Sequence, residues 1–356
     1  NGAAIVSPGP PAASLCMLMV GLLPTTFSPR NGEQMKAITQ YEYGGPETLH
    51  FEEVPQPVPD DDEILVSVRA ASLNVADWHM MTGTPYLVRL MGSGLRRPKN
   101  PRVGKDVAGV VAAVGSAVTR FEPGDEVFGE IDGSFAEHAV AKERYLAHKP
   151  SNVTFEEAAA VPLAGFTALQ GLRDHGGLQA GDKVLINGAS GAVGTWAVQI
   201  AKSLGAEVTA VCSTRNVDAA REMGADRVVD YTKEDFTRLD TGFDAMLDIV
   251  GNRSLSKCRR LLVDGGRYVM VGGPKGKWLG PVRRMVAAQF LFLGRKQKFA
   301  WFVARVNLED LEVLRDLVER DEIAAVIDRR YELRDVPEAF RYLGEGHARA
   351  KLVVTV

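Results

Sequence analysis

Gly181-Asp182-Lys183-Val184-Leu185-Ile186-Asn187-Gly188-Ala189-Ser190-Gly191-Ala192-Val193-Gly194, running on through Gln199 and Lys202, is the stretch that decides the fold. Val184-Leu185-Ile186 is a short β-branched run, and from Ala192 to Leu204 the apolar residues Val198, Ile200, Ala201 and Leu204 recur at helical spacing. Glycines between a strand and a helix are the context that a dinucleotide-binding loop requires. Gly191 lets the backbone come close to a pyrophosphate, Gly194 lets the helix pack on the strand, and the helix N-terminus offers free N–H groups. Ser190, Ala192 and Val193 complete the candidate phosphate loop.

Working outward, strand and helix alternate: EVTAVC at 207–212, a helix at 217–223, RVVDY at 227–231, DAMLDIV at 244–250 and GRYVMVG at 266–272. Such alternation means βαβ units, a parallel sheet and helices on both faces. Before this block the pattern differs. LHFEEVP (49–55), EILVSVRAASL (63–73), DVAGVVAAVG (106–115), DEVFGEI (125–131) and FAEHAVA (135–141) are short runs broken by turn signals. They predict a partly closed antiparallel barrel. Thr154 followed by Glu157 predicts a capping box. Beyond an amphipathic helix at 308–320, VIDRRYEL (326–333), a helix at 336–343 and KLVVTV (351–356) have the character of the first segment and are expected to fold back onto it.

With 356 residues, 46% hydrophobic, 24% charged and a net charge of -3, the chain reads as two ordinary globular domains with no electrostatic bias toward nucleic acid or anionic lipid. Cys16, Cys212 and Cys258 lie far apart and make neither a CxxC pair nor a disulfide framework, so a reducing cytoplasm is expected. Residues 1–34 are set aside as a disordered leader or upstream extension. Ala12 to Leu23 is apolar, but no Lys or Arg precedes it, and ~12 apolar residues are too few to span a bilayer.

Roughly 20 residues after the glycines an NAD enzyme places an acid that holds the ribose 2′-hydroxyl. Here the stretch is Cys212-Ser213-Thr214-Arg215-Asn216. Ser213 and Arg215 suit a 2′-phosphate, with no carboxylate in the stretch to repel it, so NADPH is the expected cofactor.

On these motifs, residues 35–356 resemble the quinone oxidoreductase (zeta-crystallin-like) branch of the medium-chain dehydrogenases/reductases. Gly104 to Gly109, Gly124-Asp125 and Gly272-Gly273 fit the same family, while Ala192 stands where a second glycine is usual. The resemblance implies a GroES-like barrel from 35–160 and 306–356, and a Rossmann doubly wound domain over 161–305. Zinc members hold catalytic metal at positions that here are Asn74, Lys105 and Asp106, a set without Cys or His. Metal-free transfer of hydride to a quinone or an α,β-unsaturated carbonyl follows as the expected activity.

The resemblance further places Asn74 by the nicotinamide, to position it or to donate to the substrate carbonyl, and Tyr86 at the substrate site as a second donor or a solvent gate; it puts Thr167, Val271, Gly272 and Gly273 near the nicotinamide, Tyr231 beside the adenosine phosphate, and Ile249 and Val250 under the ribose. Phe302 is expected to touch the cofactor; Lys351 stands either near cofactor or substrate or as a surface cation, two readings that the residues leave open. The basic, aromatic stretch 276–299 is assigned to a subunit interface and the cleft rather than to a membrane. A homodimer with a small-molecule substrate, without nucleic acid or membrane, is the implied assembly. Two alternatives stand beside this reading: a metal-independent alcohol or aldehyde reductase, and an NADPH-binding sensor or structural protein with little turnover.

Overall fold

The computed structural model describes residues 32–86, 88–272, 280–346 and 348–356. Most of the leader and Gly273 therefore lie outside the described residues. The first segment contributes strands β1 (Gln34–Gln40), β2 (Leu49–Pro55), β3 (Glu63–Leu73), β4 (Asp106–Val114), β5 (Glu126–Glu130), β6 (His138–Lys142) and β7 (Leu146–His148), with helix α1 (Val75–Thr82) after β3. Helices α2 (Phe155–Ala159) and α3 (Pro162–Gln170) lead into the alternating block. There β8 (Lys183–Asn187), α4 (Ala192–Ser203), β9 (Glu207–Cys212), α5 (Val217–Glu222), β10 (Arg227–Asp230), β11 (Phe243–Asp248), α6 (Leu255–Arg260), β12 (Leu262–Met270), α7 (Gly280–Phe292) and β13 (Lys298–Trp301) follow in turn. The chain closes with α8 (Leu308–Glu319), β14 (Ile327–Glu332), α9 (Val336–Glu345) and β15 (Lys351–Thr355).

Strands β8 to β13 form one six-stranded sheet in the order β10-β9-β8-β11-β12-β13, parallel throughout. The order reverses at β8, and ligands bind beyond the carboxyl ends of the strands at such a switch. The second sheet runs β14-β15-β3-β4-β5-β7, with β6 also paired to β3. Its last two strands come from the C-terminus, so the expected fold-back of 326–356 is present. Antiparallel pairing of β15 with β3 sets Leu352 opposite Leu73 and Thr355 opposite Ala70. A doubly wound parallel sheet beside a barrel-like sheet that is antiparallel except for the parallel β14–β15 pair matches the expected fold class.

The main core explains the join. Trp196, Val198 and Ile200 of α4 pack with Phe166 and Leu169 of α3, Val184 and Ile186 of β8, and Leu311 and Leu314 of α8. Helix α8, assigned by its sequence to the barrel segment, packs against both α3 and the barrel strand β7 at the junction. The Thr154 and Glu157 side chains make the predicted capping box on α2. Helix α6, helix α7 and strand β13 had not been resolved by periodicity. Among the described residues no helix is long and apolar enough to cross a membrane.

Candidate active site

The glycine loop lies at the carboxyl end of β8. Its turn is closed by Gly191 N–H donating to the Gly188 carbonyl at 3.1 Å, while the Gly188 and Ala189 N–H groups both reach the Val211 carbonyl. A Cβ on Gly194 would stand 2.1 Å from the Gly188 carbonyl oxygen, so only glycine lets α4 approach the loop. A Cβ on Gly191 would meet nothing but the Gly188 oxygen, at 3.6 Å. The backbone there faces open space beside the first turn of a twelve-residue helix. That is the cradle a pyrophosphate needs.

Strand β15 begins on this loop. Ala350 N–H donates to the Ser190 carbonyl at 3.0 Å, and Ala350 forms a parallel bridge with Gly191. The next residue, Lys351, is fully buried, so the alternative of a surface cation is excluded. Its Nζ donates to Asn74 Oδ1 at 2.7 Å and to Asp106 Oδ2 at 2.9 Å. Asn74 Nδ2 donates to the same Asp106 oxygen at 2.9 Å, as does Ser72 Oγ at 2.8 Å. The other Asp106 oxygen accepts from Leu163 N–H at 3.1 Å. Asn74 is thus held by both ends of its amide, oxygen on an ammonium and nitrogen on a carboxylate, while it also occupies the N-cap position of α1. One Nδ2 hydrogen is left over for another partner.

Two acids border this cluster. Asp77 accepts from the Asn74 backbone N–H at 2.8 Å, and burial together with the neighbouring Asp106 charge pushes its carboxyl up to about 7. Burial likewise pushes Glu130 up to about 7 against the opposing pull of Lys105. The Lys105 ammonium pairs with Asp132 and stands 3.9 Å from Glu130. Burial disfavours its charge, but these two acids outweigh burial and hold it above the ordinary lysine range.

The donor chemistry at the three metal positions therefore does not fit zinc. Lys105 is a protonated ammonium without a lone pair, and Asn74 and Asp106 are both spent on Lys351. His79 gives its Nδ1 to the Thr84 carbonyl at 2.6 Å, and burial lowers its pKa. Among the described residues no group of three or more His, Cys, Asp or Glu is arranged to hold a metal.

The remaining predicted residues fall around the strand ends. Ser213 follows β9 and its Oγ accepts from Asn216; Arg215 is exposed in the same turn, and Tyr231 is exposed after β10 with its N–H on the Cys212 carbonyl. The stretch 212–216 carries no carboxylate of its own, but a neighbouring strand brings one beside it. Register pairs Asp230 with Cys212, which brings the Asp230 carboxylate 2.6 Å from Thr214 Oγ. Thr214, burial and Thr232 are the leading influences on it, and the net effect lowers its pKa to about 2. Its lone pairs are occupied by Thr214, Thr232 and, at 3.4 Å, Lys233. A neighbouring strand supplied this acid, so no spacing along β9 could reveal it.

Ile249 and Val250 follow β11, with Ile249 N–H on the Asn187 carbonyl. Val271 and Gly272 follow β12, and both N–H groups donate to the Asp248 carbonyl. Thr167 turns its hydroxyl back to the Leu163 carbonyl within α3. Phe302 stacks on His175 with ring centroids 4.4 Å apart. Tyr86 is half-buried with the Arg89 guanidinium over its ring at 4.8 Å. Ser72, Asp77 and Asp106 were missed as site residues; Asp106 had been legible only as a departure from the zinc pattern.

Comparison with known proteins agrees with this geometry. Residues 60–151 match the alcohol dehydrogenase GroES-like domain and residues 223–354 match a zinc-binding dehydrogenase family. A chloroplast envelope quinone oxidoreductase homolog of Arabidopsis thaliana is 33% identical over 91% of this chain and 99% of its own. An NADPH-dependent alkenal/one oxidoreductase of the same plant is 32% identical, covering 90% of this chain and 80% of that one. The structure of a quinone oxidoreductase from Coxiella burnetii superposes with a TM-score of 0.80 at 30% identity, covering 91% of this chain and all of that one.

Proposed function

The chain belongs to the zinc-free quinone oxidoreductase branch of the medium-chain dehydrogenases/reductases, and from that premise we propose that it reduces a quinone or an α,β-unsaturated carbonyl compound with NADPH. The observation that carries the reading is the junction at Ala350. It joins a glycine loop shaped for a pyrophosphate to a cluster in which an internal ammonium, Lys351, takes up the donors of two former metal positions.

NADPH supplies hydride to carbon. Ser190 to Gly194 would hold the pyrophosphate with loop and helix N–H groups; Ser213, Arg215 and Tyr231 would meet the 2′-phosphate; Ile249 and Val250 would support the ribose; Thr167, Val271, Gly272 and Phe302 would border the nicotinamide. Asn74, whose amide is polarised by Lys351 on one end and Asp106 on the other, offers its remaining N–H to the substrate carbonyl oxygen. Tyr86 serves as a second donor or closes the cleft. Stabilising negative charge on that oxygen with a fixed donor replaces the Lewis acid of the zinc enzymes. Lys351 acts through Asn74 and not by touching the cofactor.

Supporting the division of labour, 35–160 with 306–356 form the substrate domain and 161–305 the cofactor domain, with α8 packed at their junction. Two finer readings complete the proposal. The chain is a homodimer, as the family resemblance implies, and it works in the cytoplasm, consistent with free, buried Cys212 and Cys258.

The test mixes the protein with NADPH and a panel of quinones, enones and saturated aldehydes while absorbance and products are followed. Oxidation of NADPH with quinones or loss of the alkene is expected. Carbonyl reduction with the alkene intact would instead support the aldehyde reductase, and tight binding without oxidation the sensor.

A further inference from the structure

Helix α7 is apolar on two faces. Met285, Ala288, Leu291 and Phe292 turn inward, with Phe292 stacked against Tyr268 at 5.8 Å. Arg284 pins this face by donating to the Arg253 carbonyl at 2.8 Å and to Asp248 at 3.2 Å. The opposite face carries Arg283, Val286, Ala287, Phe290 and Leu293, all exposed, with Phe290 at 73% and Leu293 at 69%. Their spacing of three and four residues puts them in one stripe. A helix apolar on two faces is normally covered on both, and among the described residues the core covers only the inner side.

The net charge of -3 conceals the surroundings of this stripe. Residues 265–308 contain no Asp or Glu and nine Lys or Arg. Arg283, Arg295 and Lys298 are exposed beside the stripe, and α6, which packs against α7, adds Lys257, Arg259 and Arg260. The acids in reach are already engaged: Asp264 holds Lys296 at 2.5 Å, and Asp235 holds Arg253 at 3.5 Å and Lys257 at 4.0 Å.

We propose that the outer face of α7 docks on an anionic lipid surface, with Val286, Phe290 and Leu293 entering the headgroup boundary and the flanking cations meeting lipid phosphates. An apolar stripe bordered by Lys and Arg is the pattern of an interfacial helix. A second copy of the chain is the poorer occupant, because a two-fold contact would set the same acid-free segment against itself. The proposal stands independently of the NADPH reading, since binding to lipid requires neither cofactor nor turnover.

The full chain is sedimented with vesicles of phosphatidylcholine alone and of phosphatidylcholine with phosphatidylglycerol, at low and physiological salt, beside light scattering of the free protein. Binding to the anionic vesicles, weak binding to the neutral ones and loss with salt are expected. Arg295→Ala and Lys298→Ala should each lower the partition coefficient about fivefold. Phe290→Ser with Leu293→Ser should lower it at least about tenfold, with an unchanged melting temperature because both side chains are exposed. Equal binding to neutral and anionic vesicles, no binding to either, or full retention in the double serine variant would overturn the proposal. So would a dimer that the serine variant splits while wild type ignores vesicles.

Discussion

Lys351→Met keeps the length of the side chain and removes its charge, and it tests the central claim that an internal ammonium organises the site. Asp106 accepts from four donors; the variant leaves Ser72, Asn74 and Leu163 N–H, all neutral. Removing one partner of a buried pair costs about 3–5 kcal/mol, and three surviving donors argue for the lower end. Asn74 Oδ1 also loses its 2.7 Å bond to the ammonium, and a buried acceptor left without a partner costs about 1–3 kcal/mol. A loss of about 4 kcal/mol is therefore expected in equilibrium urea unfolding. Adding Asp106→Asn removes the stranded charge and should return about 2 kcal/mol or more, a coupling that distant sites would not show. In turnover, the single variant should lower kcat without a matching rise in the NADPH dissociation constant, because Lys351 reaches the reaction through Asn74. A single variant within about 1 kcal/mol of wild type, or a double variant no better than the single, would refute the reasoning.

Asp77, pushed up to about 7 in the folded protein by burial and by Asp106, retains its proton where the unfolded chain, with a carboxyl near ~3.9, has lost it. Its contribution is therefore fully present below about pH 4 and is lost as pH rises toward 7; relative to wild type, Asp77→Asn should gain stability across that window and level off above it, as unfolding midpoints at a series of pH values would record. Gly194→Ala should unfold or misplace α4, since its Cβ meets the Gly188 oxygen at 2.1 Å, whereas Gly191→Ala, with 3.6 Å of clearance, should keep its melting temperature and lose NADPH affinity in a fluorescence titration. Arg215→Asp should raise the NADPH dissociation constant far more than that for NADH; equal changes would remove the 2′-phosphate assignment.

Much of the fold was legible because its signals are local. A turn that needs glycine, a helix that begins at a capping box and strands that alternate with helices each declare themselves within about 15 residues. Helix α7 escaped for a physical reason: with apolar residues on both faces, 280–292 lacks the one-sided periodicity by which helices are recognised. The stretch 276–299 therefore looked merely basic and aromatic. Asp230 escaped because strand pairing, not chain spacing, brings it to Thr214.

By itself the sequence determined that a dinucleotide loop sits between β8 and α4, that its second strand ends in hydroxyls and a guanidinium, and that the metal positions hold Asn74, Lys105 and Asp106. Only the tertiary structure decided what fills the place of the metal. Lys351 lies 277 residues from Asn74 and 245 from Asp106, and it reaches them because β15 pairs with β3 while Ala350, the residue before it, grips the glycine loop. Register of that kind depends on long-range burial of Leu352 to Val354, a property of the assembled core that no local pattern encodes.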